Sequence, residues 1–441
     1  MLWQEYLGAQ SSAYGNQQIR LFPSQGTPVL SCEETMKESG KNSKKQASTG
    51  KAIVLGGHYS ALAVVKALSQ EGVQVAVVAS DPNDHACHSR YVSELILAPD
   101  PEDNNQQIVN TLFGLKKDWD EALLIPTLDE YVIFVSRNRE TLMQRFISAV
   151  QEWEIINKII NKNLLYPEAQ KAEIPTPLFF LPDSVDFLKK WKDKFTYPCI
   201  LKPFESRMFS EVYGIKVLTA YSFQELIDKF TDVQKNHLDV MISELIPGDD
   251  ASIFSYRSYI DSRGEVLAEM CTQKLRQYPP HFGQGSVVRT IPMIPEIRDH
   301  SLKLLRHLSY KGESSTEYRW DCRDNQYKLM EINTRPVVTE WLFVKAGINF
   351  PFITYQDLVQ DFRNAPGAYD HELYWIHNHW EVVNFINSLM SHKLNFREFM
   401  EPYWKKKVFA IPFFDDPIHF LKEMYSYSRV VLKKIQNRNL W

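Results

Sequence analysis

The pattern of hydrophobic and polar positions divides the chain near residue 51. Upstream, residues 1–50 are rich in Gln, Ser, Gly and Lys, and the stretch 37–51 is almost purely polar. A segment with so few aliphatic side chains cannot bury enough surface to offset its ordering entropy. It predicts a flexible polar lead, with Leu2, Trp3, Tyr6 and Leu21-Phe22 as the places where it would dock on a neighbour. Downstream the pattern sharpens. Ala52-Ile53-Val54-Leu55 is a short apolar run, Gly56-Gly57-His58 a turn, 61–68 a helical stretch, Gly72 a stop, and 73–78 a second apolar run. Strand, glycine turn, helix, glycine stop, strand is a βαβ opening with parallel pairing. Leu95-Ile96-Leu97 and 122–126 continue the alternation around a further helical stretch, which places an α/β domain over residues 51–150.

Residues 157–172 read as helix as far as Ile174-Pro175-Thr176-Pro177. Residues 197–203 read as a strand stopped by proline, and 240–248 as a strand running into a Pro-Gly turn. Extended runs at 252–260, 266–275, 315–322 and 327–333 predict antiparallel pairing, an α+β arrangement. The aromatic-rich stretch 356–441 reads as a mainly helical extension, broken by proline between 412 and 417. No internal repeat is present.

Length and charge narrow the picture. At roughly 150 residues per domain, 441 residues make about three folding units. Apolar residues at 44% and charged residues at 24% exclude a disordered or collagen-like bulk. Fifty basic against 54 acidic side chains, a net −4, supply no general field for nucleic acid or an anionic membrane. No apolar stretch approaches the ~20 residues that cross a bilayer, and the first residues lack a basic segment followed by an apolar one. Cys32, Cys87, Cys199, Cys271 and Cys322 are odd in number and scattered, with no CxxC pair. Unpaired thiols fit a reducing, cytoplasmic compartment better than a disulfide or zinc framework.

The most informative residues are Glu317 and Glu331. They stand seven positions either side of residue 324, in the turn signal Arg323-Asp324-Asn325-Gln326. A hairpin turning there brings the two carboxylates opposite each other on one face. Bare, they repel; around a divalent cation they become hard oxygen ligands, and magnesium is the natural occupant. Asn333 shares the face of Glu331 and adds a neutral oxygen, and Arg335 follows on the same face, placed to meet a phosphate. The competing reading is a surface hairpin with solvated acids. Lys202 ends the apolar strand Cys199-Ile200-Leu201 and suits a phosphate as a point charge; Lys162 has the same character at a helix start, and both are equally ordinary as structural lysines. Glu244-Leu245-Ile246-Pro247-Gly248 is either a connector whose backbone meets an adenine edge or a plain strand exit. Gly56-Gly57-His58 is no full dinucleotide fingerprint. His85, Cys87 and His88 match no zinc spacing.

Taken in order, these segments resemble the ATP-grasp superfamily of carboxylate–amine ligases over roughly residues 51–350. The ordered set runs from the Lys162 helix through 174–177, 197–203 and 243–248 to Glu317 and Glu331-Ile332-Asn333-Thr334-Arg335. The subgroup it looks most like is that of the D-aspartate ligases. Lys274-Leu275-Arg276-Gln277-Tyr278-Pro279-Pro280 with Gly283-Gln284-Gly285-Ser286, and Pro126-Thr127-Leu128-Asp129-Glu130, are similar to that subgroup.

The resemblance implies an α/β pre-ATP-grasp domain at 51–150, an ATP-grasp domain at 151–355 with a small lobe near 175–245, and two lobes enclosing ATP. It implies that Lys162 and Lys202 hold phosphates, that Glu244 and the Ile246 backbone meet adenine, and that Asp250 meets ribose. Glu317, Glu331 and Asn333 would bind magnesium, with manganese as a substitute. Arg335 would stabilise acyl-phosphate and tetrahedral states, and Lys274, Arg276, Gly285, Ser286 and Arg289 would line the acceptor side. The implied reaction activates a small carboxylate as an acyl phosphate and couples it to an amine such as an amino acid. Family habit implies a homodimer. The departure is 204–216, where relatives carry a glycine-rich loop and this chain has only Gly214; Ser206, Arg207 and Lys216 are the available substitutes. That departure motivates the alternative of a non-catalytic nucleotide-binding protein of the same fold. Asp415-Asp416-Pro417 resembles a feature of the subgroup and has no assigned chemistry.

Overall fold

A computed structural model describes residues 50–204, 206–280, 283–390, 395–411, 416–417, 421–422 and 424, without the side chains of 206 and 207. The polar lead at 1–49, Asp415 and the last residues of the tail lie outside the described residues.

Three sheets organise the chain. The first has the order β3-β2-β1-β4, all parallel. Its strands are β1 (Lys51–Leu55), β2 (Gln74–Ala79), β3 (Glu94–Leu97) and β4 (Leu123–Pro126). Parallel strands buried on both faces need continuous apolar runs, and Ala52 to Leu55 and Val75 to Ala79 are completely buried. The helix Tyr59–Ser69 that links β1 to β2 is buried on nearly every side, between the sheet and later parts of the chain. Gly56 makes the first turn possible. Its φ is +97°, and a Cβ there would stand 2.9 Å from Thr127 Oγ1.

The helical pattern at 157–172 resolves into two helices, Trp153–Ile160 and Lys162–Lys171. Asn161 between them is extended, with φ −87° and ψ 109°. The break puts Lys162 at the first position of a new helix.

The second sheet, antiparallel, has the order β5-β8-β6-β7, built from β5 (Phe179–Phe180), β6 (Cys199–Pro203), β7 (Leu218–Ala220) and β8 (Val240–Glu244). One apolar core joins it to the helices Val185–Lys190, Ser206–Tyr213 and Phe223–Lys235 through Leu188, Phe209, Leu226 and Phe230.

The third sheet has seven strands in the order β13-β12-β9-β10-β11-β14-β15. They are β9 (Ile253–Ile260), β10 (Val266–Tyr278), β11 (Gln284–Ile291), β12 (Gly312–Asp321), β13 (Gln326–Asn333), β14 (Tyr374–Ile376) and β15 (Lys407–Phe409). From β13 to β14 every neighbour is antiparallel, as the sequence pattern predicts. A core spanning the first sheet, helix Pro295–His307 and the β12–β13 hairpin ties the lobes together.

Among the described residues the stretch after 356 is mainly helical, with the helices Asn378–Met390 and Phe396–Trp404, and it also adds two short strands to the third sheet. Tyr374-Trp375-Ile376 pairs with β11, and β15 pairs parallel with it. Three-residue strands are too short to show an alternation of period two, so their pattern was unreadable in advance. Asp416 also anchors this tail, accepting from Ser89 Oγ at 3.1 Å and the Arg90 N–H at 3.0 Å. No helix among the described residues is long and apolar enough to cross a membrane.

Candidate functional site

The β12–β13 hairpin turns through 322–325, with Asn325 in the left-handed region at φ +54°. Near the turn Tyr318 faces Leu329 and Asp321 faces Gln326. One residue further the register shifts, so that Glu317 faces Glu331, Thr316 faces Ile332 and Ser315 faces Asn333. Met330 is the extra residue, a bulge of the kind that re-aims side chains in an antiparallel pair. Directly opposite residues share a face of the sheet, so both carboxylates point the same way.

Each carboxylate is countered by a lysine from a different element. Lys162 Nζ lies 2.7 Å from Glu331 Oε2. Lys274 Nζ, on β10, reaches across β9 to within 2.7 Å of Glu317 Oε2. Asn333 Nδ2 donates to Glu331 Oε1 at 3.3 Å. The Lys162 charge holds the Glu331 carboxyl well below the usual carboxylate range; burial opposes this, and Lys274 and Asn333 reinforce it. For Lys162 itself removal from water works against the charge, but Glu331 outweighs it and its pKa is raised.

Lys202, at the end of β6, sits with Nζ 5.8 Å from the Tyr166 ring centre. Removal from water, and then the nearby Lys162, bring its pKa down to about 7, against the pull of Glu331. Tyr166 donates to the carbonyl of the bulged Met330 at 3.1 Å, which ties the Lys162 helix to the hairpin. Lys216 feels the same charges: burial lowers its pKa, Glu331 and Asp129 raise it, and Lys162 lowers it. The available cations therefore converge on Glu331 from both lobes. Arg335, two residues past Asn333, forks onto Asp129 at the start of helix Asp129–Arg137, with Nε 2.7 Å from Oδ1 and Nη2 2.9 Å from Oδ2. Beside it burial pushes the Glu130 carboxyl up to about 7.

The remaining sequence-selected residues fall into two further groups. Glu244 accepts from the Leu178 N–H at 2.7 Å and pairs with Arg323 Nη2 at 2.7 Å, which links the second sheet to the hairpin turn. Ile246 is buried, and Asp250 accepts from the backbone and side-chain amides of Gln277 at 2.9 and 2.8 Å. On the other side, Arg276 and Ser286 both bind Glu381 of the tail, at 2.6 and 2.7 Å. Arg289 forks onto Gln273 Oε1 at 3.0 and 2.7 Å. Gly285 has no room for a side chain, since a Cβ would stand 2.5 Å from Val288 Cγ2 and 3.4 Å from Lys274 Cγ. The segment 204–216 is a helix, Ser206–Tyr213, in place of an open loop; buried Phe209 fastens it to the second sheet. His85 stacks on Tyr59 with ring centres 3.6 Å apart. Among the described residues no three His, Cys, Asp or Glu side chains gather as a metal cluster; the hairpin site is two carboxylates and an amide.

The comparisons with known proteins agree with this architecture. The chain aligns with the N5-carboxyaminoimidazole synthetase of Staphylococcus aureus, solved with ADP, at TM-score 0.56 and 12% identity, covering 80% of this chain and 99% of that one. The chain has the ATP-grasp fold. Further comparisons are consistent with that fold. The L-amino acid ligase of Bacillus licheniformis superposes with a TM-score of 0.54 and 16% identity, covering 72% of this chain and 75% of the other. The family model described as the ATP-binding domain of the carbamoyl-phosphate synthase L chain matches residues 292–346, the stretch that holds the hairpin. In sequence the chain is 24% identical to the D-aspartate ligase of Enterococcus faecium over 247 residues, 54% of this chain and 58% of that ligase. It spans about three-fifths of the length of the first curated relatives it matches.

Four residues around the candidate site are not assigned chemistry by the sequence alone. Asp129 stands in the motif 126–130 and Arg323 in the turn signal 323–326 with no chemistry assigned to either, and Tyr166 and Glu381 carry no local signal. Their partners are 79 to 206 residues away in the chain, and no local spacing reveals such contacts.

Proposed function

We propose that this chain is an ATP- and magnesium-dependent ligase that couples a small carboxylate to an amine. The observation that carries the reading is the Glu317–Glu331 pair, set face to face by a bulged hairpin and countered by lysines from two other elements. Opposed carboxylates are destabilising unless cations sit between or beside them. The donor set Glu317, Glu331 and Asn333 is all oxygen, which fits a hard divalent ion, magnesium or manganese. That ion, when bound, supplies charge neutralisation for the transferring phosphoryl group.

The chain's own residues have definable tasks. Lys162 and Lys202 are point charges for the phosphates, and the low pKa of Lys202 means that an incoming anion restores its proton. The Glu244–Ile246 strand exit offers backbone groups to the base, and Asp250 lies next to it for the ribose. A carboxylate oxygen attacks the γ-phosphorus and ADP leaves; the amine nitrogen then attacks the acyl carbon, phosphate leaves with the C–O electron pair, and the nitrogen loses a proton. Arg335 stabilises the negative charge on those oxygens. Asp129 holds its fork in place until a substrate carboxylate or phosphate competes. The named relatives that act on amino acids support an amino acid as amine substrate; a cytoplasmic homodimer remains part of the same reading.

A second reading, a nucleotide-binding protein without turnover, is favoured by one observation: the helix Ser206–Tyr213 where phosphates would otherwise meet a glycine-rich loop. The experiment that separates the two is phosphate release from ATP with L- and D-amino acids offered pairwise. Release stimulated by a particular pair and abolished in Arg335→Ala supports the ligase. Tight ATP binding with no stimulated release by any pair supports the binder.

A further inference from the structure

The tail places a buried acid against Arg276 of β10 and Ser286 of β11. Glu381, in helix Asn378–Met390, is 1% exposed. It accepts from Arg276 Nε and Nη2 at 2.9 and 2.6 Å, from Ser286 Oγ at 2.7 Å and from Asn384 Nδ2 at 3.0 Å. The Tyr403 hydroxyl, in helix Phe396–Trp404, is a further partner. Asn384 also donates to Ser286 Oγ and to the Gln277 carbonyl. Docking a tail does not need this arrangement. A buried ion pair is weak as a source of stability, because desolvation cancels much of the attraction, whereas apolar residues of similar size dock at least as well. What the arrangement does achieve is orientation.

Arg276 is gripped along one edge. Nε and Nη2 are taken by Glu381, and Nη2 also donates to the Phe399 carbonyl at 3.1 Å, with the guanidinium 4.3 Å from the Phe399 ring centre. Nη1 has no partner among the described residues, and the side chain is 20% exposed. The residue two before it, Lys274, is the one that reaches Glu317. The register of β10 against β11 shifts on both sides of Arg276, and Gly285, the residue before Ser286, lies beside Lys274, where a Cβ would stand 3.4 Å from Lys274 Cγ. A guanidinium with two donors left, on the strand that also carries Lys274, suits a planar anion.

We propose that Glu381 is a positioning residue: it holds Arg276 by one edge so that the Nη1 edge binds a carboxylate of the amino-acid substrate on the amine side. This rests on the ligase reading. Asn384 and Tyr403 keep Glu381 itself in place.

The test is steady-state kinetics on the strongest pair found in the pairwise phosphate-release assay. Glu381→Ala raises KM for the amine substrate about tenfold, leaves KM for ATP within twofold and lowers kcat less than threefold. Glu381→Gln, which keeps an oxygen acceptor, recovers at least half of that loss on a logarithmic scale. Asn378→Ala loosens the tail at Ile411 without touching Arg276, and it leaves the amine KM within twofold. Unchanged amine KM in Glu381→Ala overturns the inference, as does an equal rise in Asn378→Ala, which would mean docking alone. If Glu381→Ala does not fold, the Gln variant alone decides, by a rise or no rise in the amine KM. A folded wild type with no stimulated release for any pair overturns the ligase reading and this inference with it; a working wild type with indifferent Glu381 variants overturns only this one.

Discussion

At the scale of single residues the account turns on charges held near their opposites. Glu331 collects Lys162 and Asn333 directly and Lys274 through space. Removing its carboxylate in Glu331→Ala leaves Lys162 without its partner and the proposed cation without a ligand. Turnover is expected to fall about 100-fold or more, with the circular dichroism spectrum unchanged. Lys202 supplies a pH dependence. Its folded value of about 7 lies below the ordinary 10.5. Between those pH values the folded chain binds fewer protons than the unfolded one, so this residue's contribution to stability rises with pH across that window. Nucleotide binding reverses the situation, because phosphate favours the charged form. ATP binding near pH 8 is therefore expected to take up protons. Calorimetry in buffers of different ionisation enthalpy reads this uptake. Lys202→Arg, always charged, should abolish it while binding persists; uptake unchanged in that variant would exclude Lys202 as its source.

The elements explain which parts of this were legible in the sequence. Apolar runs at 52–55 and 75–79 are buried on both faces, so their hydrophobicity announced them and with them the parallel sheet. The opposition of Glu317 and Glu331 could be read from their symmetry about residue 324. It holds in the structure only because the Met330 bulge shifts the register by one between the turn and the site. Bulges leave no mark in residue spacing. The tail strands β14 and β15 were too short to see, and Asp129, Arg323 and Glu381 act on partners that only the assembled sheets bring near. The helix Ser206–Tyr213 also contradicts a loop-based expectation, and its anchor is testable. Phe209 is fully buried in the core of the second sheet. Phe209→Ala is expected to destabilise the protein by about 3–5 kcal/mol, measured by urea unfolding; a change below about 1 kcal/mol would mean that the helix is not packed there.

Over the whole molecule, ion pairs tie the three sheets and the tail to one another. Arg335–Asp129 joins the first sheet's domain to the hairpin, Arg323–Glu244 joins the hairpin to the second sheet, and Arg276–Glu381 joins the central sheet to the tail. Asp416 fastens that tail to the first domain. Asp416→Ala removes an acceptor shared by Ser89 and Arg90, at a cost of about 1–3 kcal/mol, and limited proteolysis is expected to cut faster between 374 and 411. An unchanged digestion pattern would show that the β14–β15 pairing holds the tail alone. The central claim is that the opposed acids grip a divalent cation together with a nucleotide phosphate. Manganese electron paramagnetic resonance in the presence of ADP tests it most directly. The wild type is expected to bind manganese with ADP, and the Glu317→Gln/Glu331→Gln double variant to lose that binding while remaining folded; a folded double variant that binds manganese as the wild type does would contradict the account.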